Sequence, residues 1–510
     1  MKHEDIATII GGIGEELIEE VSAQREHEFF EARAKKRRTA RRALAIALPI
    51  AACIAVAFAV PGIVKAVRGD NSIIVTDFGK IPKKYASQYD SAVNLSSAKT
   101  LAAAEYPACA EYPDYSGSAK EYESQERIHM NVNYLRRKAA KDIDVYSSFY
   151  NNLISQALSG EYDSNRVISP VNIYIAASML AEISGGETQK QILNALDTES
   201  IEELRDNAEK LWKTNFIYDK TKQQILSSSL WLNEDIKFKK PALNTLAEYY
   251  YADSFSGDFG DPDLTADMQK WLSKRTGGLL DGQIGDVRLN RDDVMNILTT
   301  VYFSARWMDE FYPGANTNLI FHSPTGDKET VFMCTSQTGY YRGENFGAVC
   351  KSFKESGFGS MWFILPDENF AVGDVLSQEN FIDSVLDDKL EKFPSYIVNI
   401  KVPKFDVSSE LTLNSSFKAM GIEDAFDMNT ADFSALTDFT PTFVGKIEHN
   451  ARVIIDEEGC KAAAFTELPL LGAAGVQDME IIDFILDRPF IFIIETDVGQ
   501  PLFIGVVNNV

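Results

Sequence analysis

Residues 43–64 read ALAIALPIAACIAVAFAVPGIV, twenty-two positions without a charged side chain. At about 1.5 Å per residue, a helix over this run is about 33 Å long, enough to cross the hydrocarbon core of a bilayer. Pro49 and Pro61 each free a backbone group, which membrane helices tolerate. A buried helix of a soluble core fits the run poorly, because a dense basic cluster flanks it on one side. Between Arg33 and Arg42 the chain reads RAKKRRTARR, with seven basic residues and no acid, whereas only Lys65 and Arg68 follow closely. This asymmetry predicts a cell-membrane anchor with residues 1–42 cytoplasmic and everything beyond residue 64 outside. Ala57-Phe58-Ala59 would suit a signal peptidase, and Ile50-Ala51-Ala52-Cys53 has the form of a lipoprotein box. The 42-residue leader is long for either, so the reading is an uncleaved single-pass signal anchor.

Beyond the anchor the texture changes twice. Residues 65–141, with YPACAEYPDYSGSAKEYESQ, mix tyrosine, proline, serine and charge without sustained periodicity, and read as an extracellular linker or stalk. From residue 142 to 510, DIDVYSSFYNNLISQAL and VNIYIAASMLAEI carry apolar residues three and four apart, the spacing of helices. Later segments such as VNIKVPKF, ARVIIDEE, FIFIIET and PLFIGVV are short, β-branched or aromatic, and bounded by turn residues. Helices first and strands later predict an α+β domain with large antiparallel sheets. The leader contains IATIIGGIGEELIEEV, which reads either as an amphipathic helix or as a solvated tail; its glycines complete no dinucleotide fingerprint.

The chemistry on offer is sparse. A formal charge of −25 argues against a nucleic-acid partner, since phosphate binding needs clustered lysine and arginine. Five cysteines (Cys53, Cys109, Cys334, Cys350, Cys460) form no metal-binding spacing, and no cofactor motif is present. A Cys334–Cys350 disulfide stays open from spacing, with free thiols the preferred reading. No GxSxG elbow, HExxH helix or phosphate loop occurs; of the five histidines, His3 and His27 precede the membrane run, His129 lies in the linker, His322 sits in the polar turn-like FHSPTGD, and His449 has no flanking nucleophile in sequence. A dispersed catalytic triad is not visible this way, so a cell-surface hydrolase survives as a weak alternative.

One segment fits none of this. IDEEGCKAAAFT, Ile455 to Thr466, places acids, a glycine and a run of small residues between two strand-like regions. Alone it reads as a surface helical turn or a linker, because alanine favours helix. It resembles, however, the hinge of the serpin reactive-centre loop, through Glu457, Glu458, Gly459, Cys460, Ala462, Ala463, Ala464 and Thr466. FILDRPFIFII, with Asp487, Arg488, Pro489 and Phe490, resembles that family's C-terminal signature, and PLFIGVVNN its closing strand. NRVISPVNIYIAASML, GGETQKQIL, MQKWLSKRTGGLL, VYFSARW and SMWFILPDE follow in the family's order. The similarity covers about residues 142–510.

The resemblance implies a non-catalytic inhibitor of serine proteases, monomeric, with an exposed loop that acts as a suicide substrate. A protease cuts the loop, and its N-terminal part then enters the main sheet as a new strand. The strand's inward face must be small, since overpacking a core costs about 1–3 kcal/mol per site. Alternation puts Cys460, Ala462, Ala464 and Thr466 on one face, and Lys461, Ala463, Phe465 and Glu467 on the other. Counting from the hinge glycine places the reactive bond at Ala473–Ala474, with Leu471 or Gly472 in LPLLGAAGV as the alternatives if the count slips. A small residue there suits elastase-like proteases. Ser169, Asn172, Thr299 and His449 match positions of a polar set at the centre of the opening sheet. Cys460 stands where the family has threonine or serine, Phe465 replaces a small residue, and Pro469 lacks an N–H for the sheet ladder. The style of anchor and the composition suggest a bacterial cell surface. A second reading is a non-inhibitory binding protein of the same fold, cut as a plain substrate.

Overall fold

The computed structural model describes residues 81–113, 118–141, 143, 146–158, 163–219, 222–282, 285, 287–354, 359–387, 389–460 and 480–510. The anchor expected at 43–64 and the loop positions from 461 to 479, Ala473 and Ala474 included, lie outside the described residues. Among those that are described, no helix is long and apolar enough to cross a membrane.

Helices dominate the first half. They are α1 (Ala119–Ala140), α2 (Tyr146–Ala157), α3 (Pro170–Ile183), α4 (Gly186–Ala195), α5 (Ile201–Asn215), α6 (Lys240–Tyr249) and α7 (Pro262–Arg275). Three short ones, α8 (Val372–Leu376), α9 (Phe381–Leu386) and α10 (Asn414–Ala419), lie among the later strands. Their starts are encoded locally. Ser169, Ser200 and Asp261 cap α3, α5 and α7 through their side chains, and Pro170 and Pro262 stand at first-turn positions where no N–H is needed. Every residue of α3 except Glu182 is buried, so this helix is core on all sides.

Two large sheets surround that core. The main sheet has the order β14 (Phe405–Thr412), β15 (Glu448–Ile455), β16 (Gly459–Cys460), β8 (Met295–Arg306), β6 (Gln223–Asn233), β7 (Ala252–Gly257) and β2 (Lys99–Ala102), with β5 (Ile217–Tyr218) paired to the start of β6. The second runs β17 (Ile481–Ile485), β13 (Glu391–Pro403), β10 (Gly326–Gly343), β11 (Phe346–Ser352), β12 (Ser360–Pro366), β18 (Phe490–Glu495), β19 (Pro501–Val507) and β4 (Arg166–Ile168), with β9 (Thr317–Ser323) on β10. A small ribbon joins β1 (Ala86–Ser87) to β3 (Cys109–Ala110). Helix α3 packs against β8 of one sheet and β19 of the other.

The sheets are mixed rather than purely antiparallel. β6 and β7 run parallel because α6 carries the chain back between them; β13 with β17 and β15 with β8 are parallel as well. Cys109, Cys334, Cys350 and Cys460 are free thiols. Cys334 stands opposite Lys401 and Cys350 opposite Trp362, so the two central cysteines face different neighbouring strands and do not pair.

The largest departure concerns the stretch expected as a stalk. Where it is described, it is packed structure: β2 extends the main sheet beside β7, and α1 lies along α5. Ser118 and Glu121 form a capping box at the start of α1, whose buried residues Ile128, Val132, Arg136 and Ala140 recur at every fourth position. That stripe is narrow and sits among charges, which hides it from a reading by hydropathy.

Candidate functional site: a hinge threaded between two strands

β15 and β8 are parallel neighbours that touch at one end only. Glu448 pairs with Leu298 and His449 with Thr299; beyond that point the strands part. β15 alternates half-buried and buried side chains along its whole length, so its inward row is fixed before the strands diverge. Past Ile455 the chain reverses at Asp456–Glu458 and re-enters the gap as β16. Cys460 lies opposite Ile455 on one side and Ala305 on the other, with Gly459 opposite Arg306, antiparallel to both strands.

The reversal is held by a ring of specific bonds. The carboxylate of Asp456 accepts the N–H of Glu458 at 2.9 Å and of Gly459 at 3.1 Å, an Asx-turn. Trp307, just beyond β8, donates its backbone N–H to the Glu458 carbonyl and its indole N–H to the Asp456 carbonyl, each at 3.0 Å. Phe311 donates its N–H to the Glu457 carbonyl at 3.0 Å. The Glu457 side chain meets Lys404 Nζ at 2.7 Å and also accepts a bond from the Asn316 amide. Burial alone would raise this carboxyl, but Lys404 and Asn316 hold it below the usual range. Gly459 is required by space. A Cβ there would lie 2.2 Å from the Ala305 carbonyl oxygen, deep inside contact distance. Burial pushes the Cys460 thiol far up, so it stays protonated and unreactive at neutral pH.

At the closed end the structure brings His449, Thr299 and Ser169 together. The backbone N–H of Ser169 donates to His449 Nε2 at 3.0 Å, which places the ring proton on Nδ1. Ser169 Oγ caps α3 by accepting the Asn172 N–H at 3.4 Å. The Asn172 amide and His449 Nδ1 are buried without a protein partner, so the four residues sit close without forming a continuous side-chain network. Burial lowers the His449 pKa to about 4, leaving the ring neutral.

Of the expected hinge residues, Glu457, Glu458, Gly459 and Cys460 form this turn and its first two strand positions. Ala462, Ala463, Ala464 and Thr466 lie outside the described residues. Sequence reasoning missed the holding set of Asp456, Trp307, Phe311, Lys404 and Asn316. Two of them lie in segments that the sequence singles out, Asp456 in IDEEGC and Trp307 in VYFSARW, but neither contact is announced there.

Residues 144–510 match the family model described as "Serpin (serine protease inhibitor)". Among curated proteins, an uncharacterized serpin-like protein of Methanosarcina acetivorans is 28% identical over 359 residues, covering 68% of this chain and 82% of that one. The human leukocyte elastase inhibitor is 26% identical over 358 residues, covering 67% and 92%. Among solved structures, the native state of the thermophilic serpin tengpin superposes with a TM-score of 0.65 at 26% identity, covering 72% of this chain and 94% of that one.

Proposed function

The chain belongs to the serpin family of serine protease inhibitors, and we propose that it is a membrane-tethered inhibitor whose loop, once cut, inserts between β15 and β8. The observation that carries this reading is β16, a two-residue strand already seated in that gap with the antiparallel register a longer strand would need.

Continuing that register gives a definite end point. Each further loop residue steps one position back along both neighbours, so Thr466 arrives between Thr299 and His449. These two residues now pair directly, and full insertion must part them. The same register sets Cys460, Ala462, Ala464 and Thr466 level with Ala305, Phe303, Val301 and Thr299, all buried. Small side chains on that row therefore enter without displacing core atoms. New ladder bonds, each worth about 0.5–1.5 kcal/mol net, drive the movement. The protease supplies the chemistry: its serine forms an acyl bond at the loop, and translocation distorts the enzyme before water can release it.

The count from Gly459 places the reactive bond at Ala473–Ala474, which favours elastase-like proteases over trypsin-like ones. The human leukocyte elastase inhibitor among the relatives agrees with that preference. The uncharged run at 43–64 and the basic residues before it support a tether with the inhibitor outside a bacterial cell.

The test is incubation of the full chain with elastase-like and trypsin-like serine proteases, followed by denaturing gels and mass spectrometry of the released peptide. The expected result is a covalent complex with the former and a C-terminal fragment beginning at Ala474. Cleaved chain beside fully active protease, with every enzyme tried, would favour the non-inhibitory reading.

A further inference from the structure

Helix α7 lies across the strands that must move. Its Leu264, Met268, Trp271 and Leu272 pack on Trp231 of β6, Phe255 of β7 and Leu298 of β8. Leu298 is the residue paired with Glu448 at the closed end of the gap. A strand reaching Thr299 therefore runs beside the ground that α7 covers.

The stretch before β2 is fastened to this helix by an unusual convergence. The buried carboxylate of Asp267, on α7, accepts the backbone N–H of Ser96 at 2.8 Å, of Ser97 at 2.6 Å and of Ala98 at 2.9 Å, and the Ser96 hydroxyl at 3.1 Å. Val93, Leu95 and Ala98 pack against the α7 cluster, and β2 then pairs along β7. Just past β2, Ala104 donates its N–H to Asp253 of β7 at 3.0 Å. Asp253 also accepts from Arg275 at 2.6 Å and Trp271 at 3.1 Å, both on α7. Tyr106 closes the run, 5.1 Å from the Arg275 guanidinium and 5.5 Å from the Trp212 ring of α5. Charge-assisted bonds of this kind are the strong ones in a protein interior. None of these contacts touches the hinge; together they tie α7 to the sheet edge, and Tyr106 joins the stretch to α5 as well.

We propose that residues 94–106 are a clasp, fastening α7 to the edge of the main sheet and so limiting how readily the loop inserts. This rests on the insertion reading above. With the clasp released, α7 lifts more easily, the half-sheet β8–β6–β7 swings from β15 more often, and the uncut loop enters unprompted. The clasp thus keeps the inhibitor in its armed state.

The experiment follows the uncut full chain at 37 °C, reading conversion to a heat-resistant form by thermal melting and loss of complex-forming capacity with an elastase-like protease. Asp267→Ala removes the acceptor; Asp267→Asn keeps the shape and weakens it; Ser97→Pro removes one donor without altering α7. Freshly folded variants are expected to form complexes as the parent does, then convert at least about tenfold faster, equivalent to about 1.4 kcal/mol off the barrier. If the parent forms complexes and all soluble variants convert at the parental rate, the clasp is wrong and the inhibitor reading stands. If the parent forms no complex but its cut chain still becomes heat-resistant, the inhibitor reading fails while the conversion rates still judge the clasp. Should no form ever gain heat resistance, both fall.

Discussion

Two residues set the condition of the gap, each by a different physical means. Gly459 acts through absence: the Ala305 carbonyl stands where any side chain would go. Gly459→Val is therefore expected to push β16 out of the gap. The loop would then start from outside and lose the race with acyl-enzyme hydrolysis, and the amount of protein needed per mole of protease should rise by about tenfold or more, equivalent to a partition shift of about 1.4 kcal/mol. An unchanged ratio in a titration against active protease would contradict this. His449 acts through charge. Its folded-state pKa of about 4 lies below the 6.5 of the free side chain, because burial disfavours the imidazolium. The unfolded chain thus takes up the proton first as pH falls. The stability this residue contributes is whole above pH 6.5 and is lost progressively as pH falls from there towards 4. Protonation also removes the acceptor for the Ser169 N–H at the closed end, so acid should favour opening of β15 from β8. A His449→Gln variant is expected to flatten the pH dependence of denaturant midpoints over that interval; an unaltered slope would show that other groups carry it.

At the scale of elements, the threaded β16 decides which side of the loop faces the core. Ala464→Arg would place a charge level with buried Val301, whereas Ala463→Arg would fall on the opposite row. The first should turn the inhibitor into a plain substrate and the second should leave most complex formation intact, as gel densitometry would show; equal effects would refute the register. Much of this level was legible in the sequence. The β-branched, turn-bounded ARVIIDEE announced β15, and the three-and-four spacing of VNIYIAASMLAEI announced α3. What could not be read was set by distant partners. Nothing near Asp456 announces that Trp307 will take its carbonyl, and nothing near Lys404 announces Glu457, because these meetings depend on how whole strands are ordered. The parallel β6–β7 pair was missed for the same reason. The stretch from Tyr89 to Tyr106 looked like a spacer because its apolar residues follow no period. They fill a groove built by α5, α7 and β7, and a groove imposes no period on what fills it.

For the whole molecule, the loop is the bridge between two sheets. On its near side the chain belongs to the main sheet through β15 and β16; on its far side β17 pairs with β13, and β18 and β19 occupy the interior of the second sheet. Cutting between them frees the near side to add a strand, so the cut chain should melt well above the intact one in calorimetry. An equal or lower melting temperature would mean that no strand was added. The far side cannot follow, since nearly all of Phe490–Glu495 and all of Pro501–Val507 are buried. The severed C-terminal piece should therefore copurify with the body under native conditions and separate only when the fold is destroyed. On the mechanism proposed above, the molecule would keep its own debris: the broken halves would remain one particle, and each copy would record the single encounter that spent it.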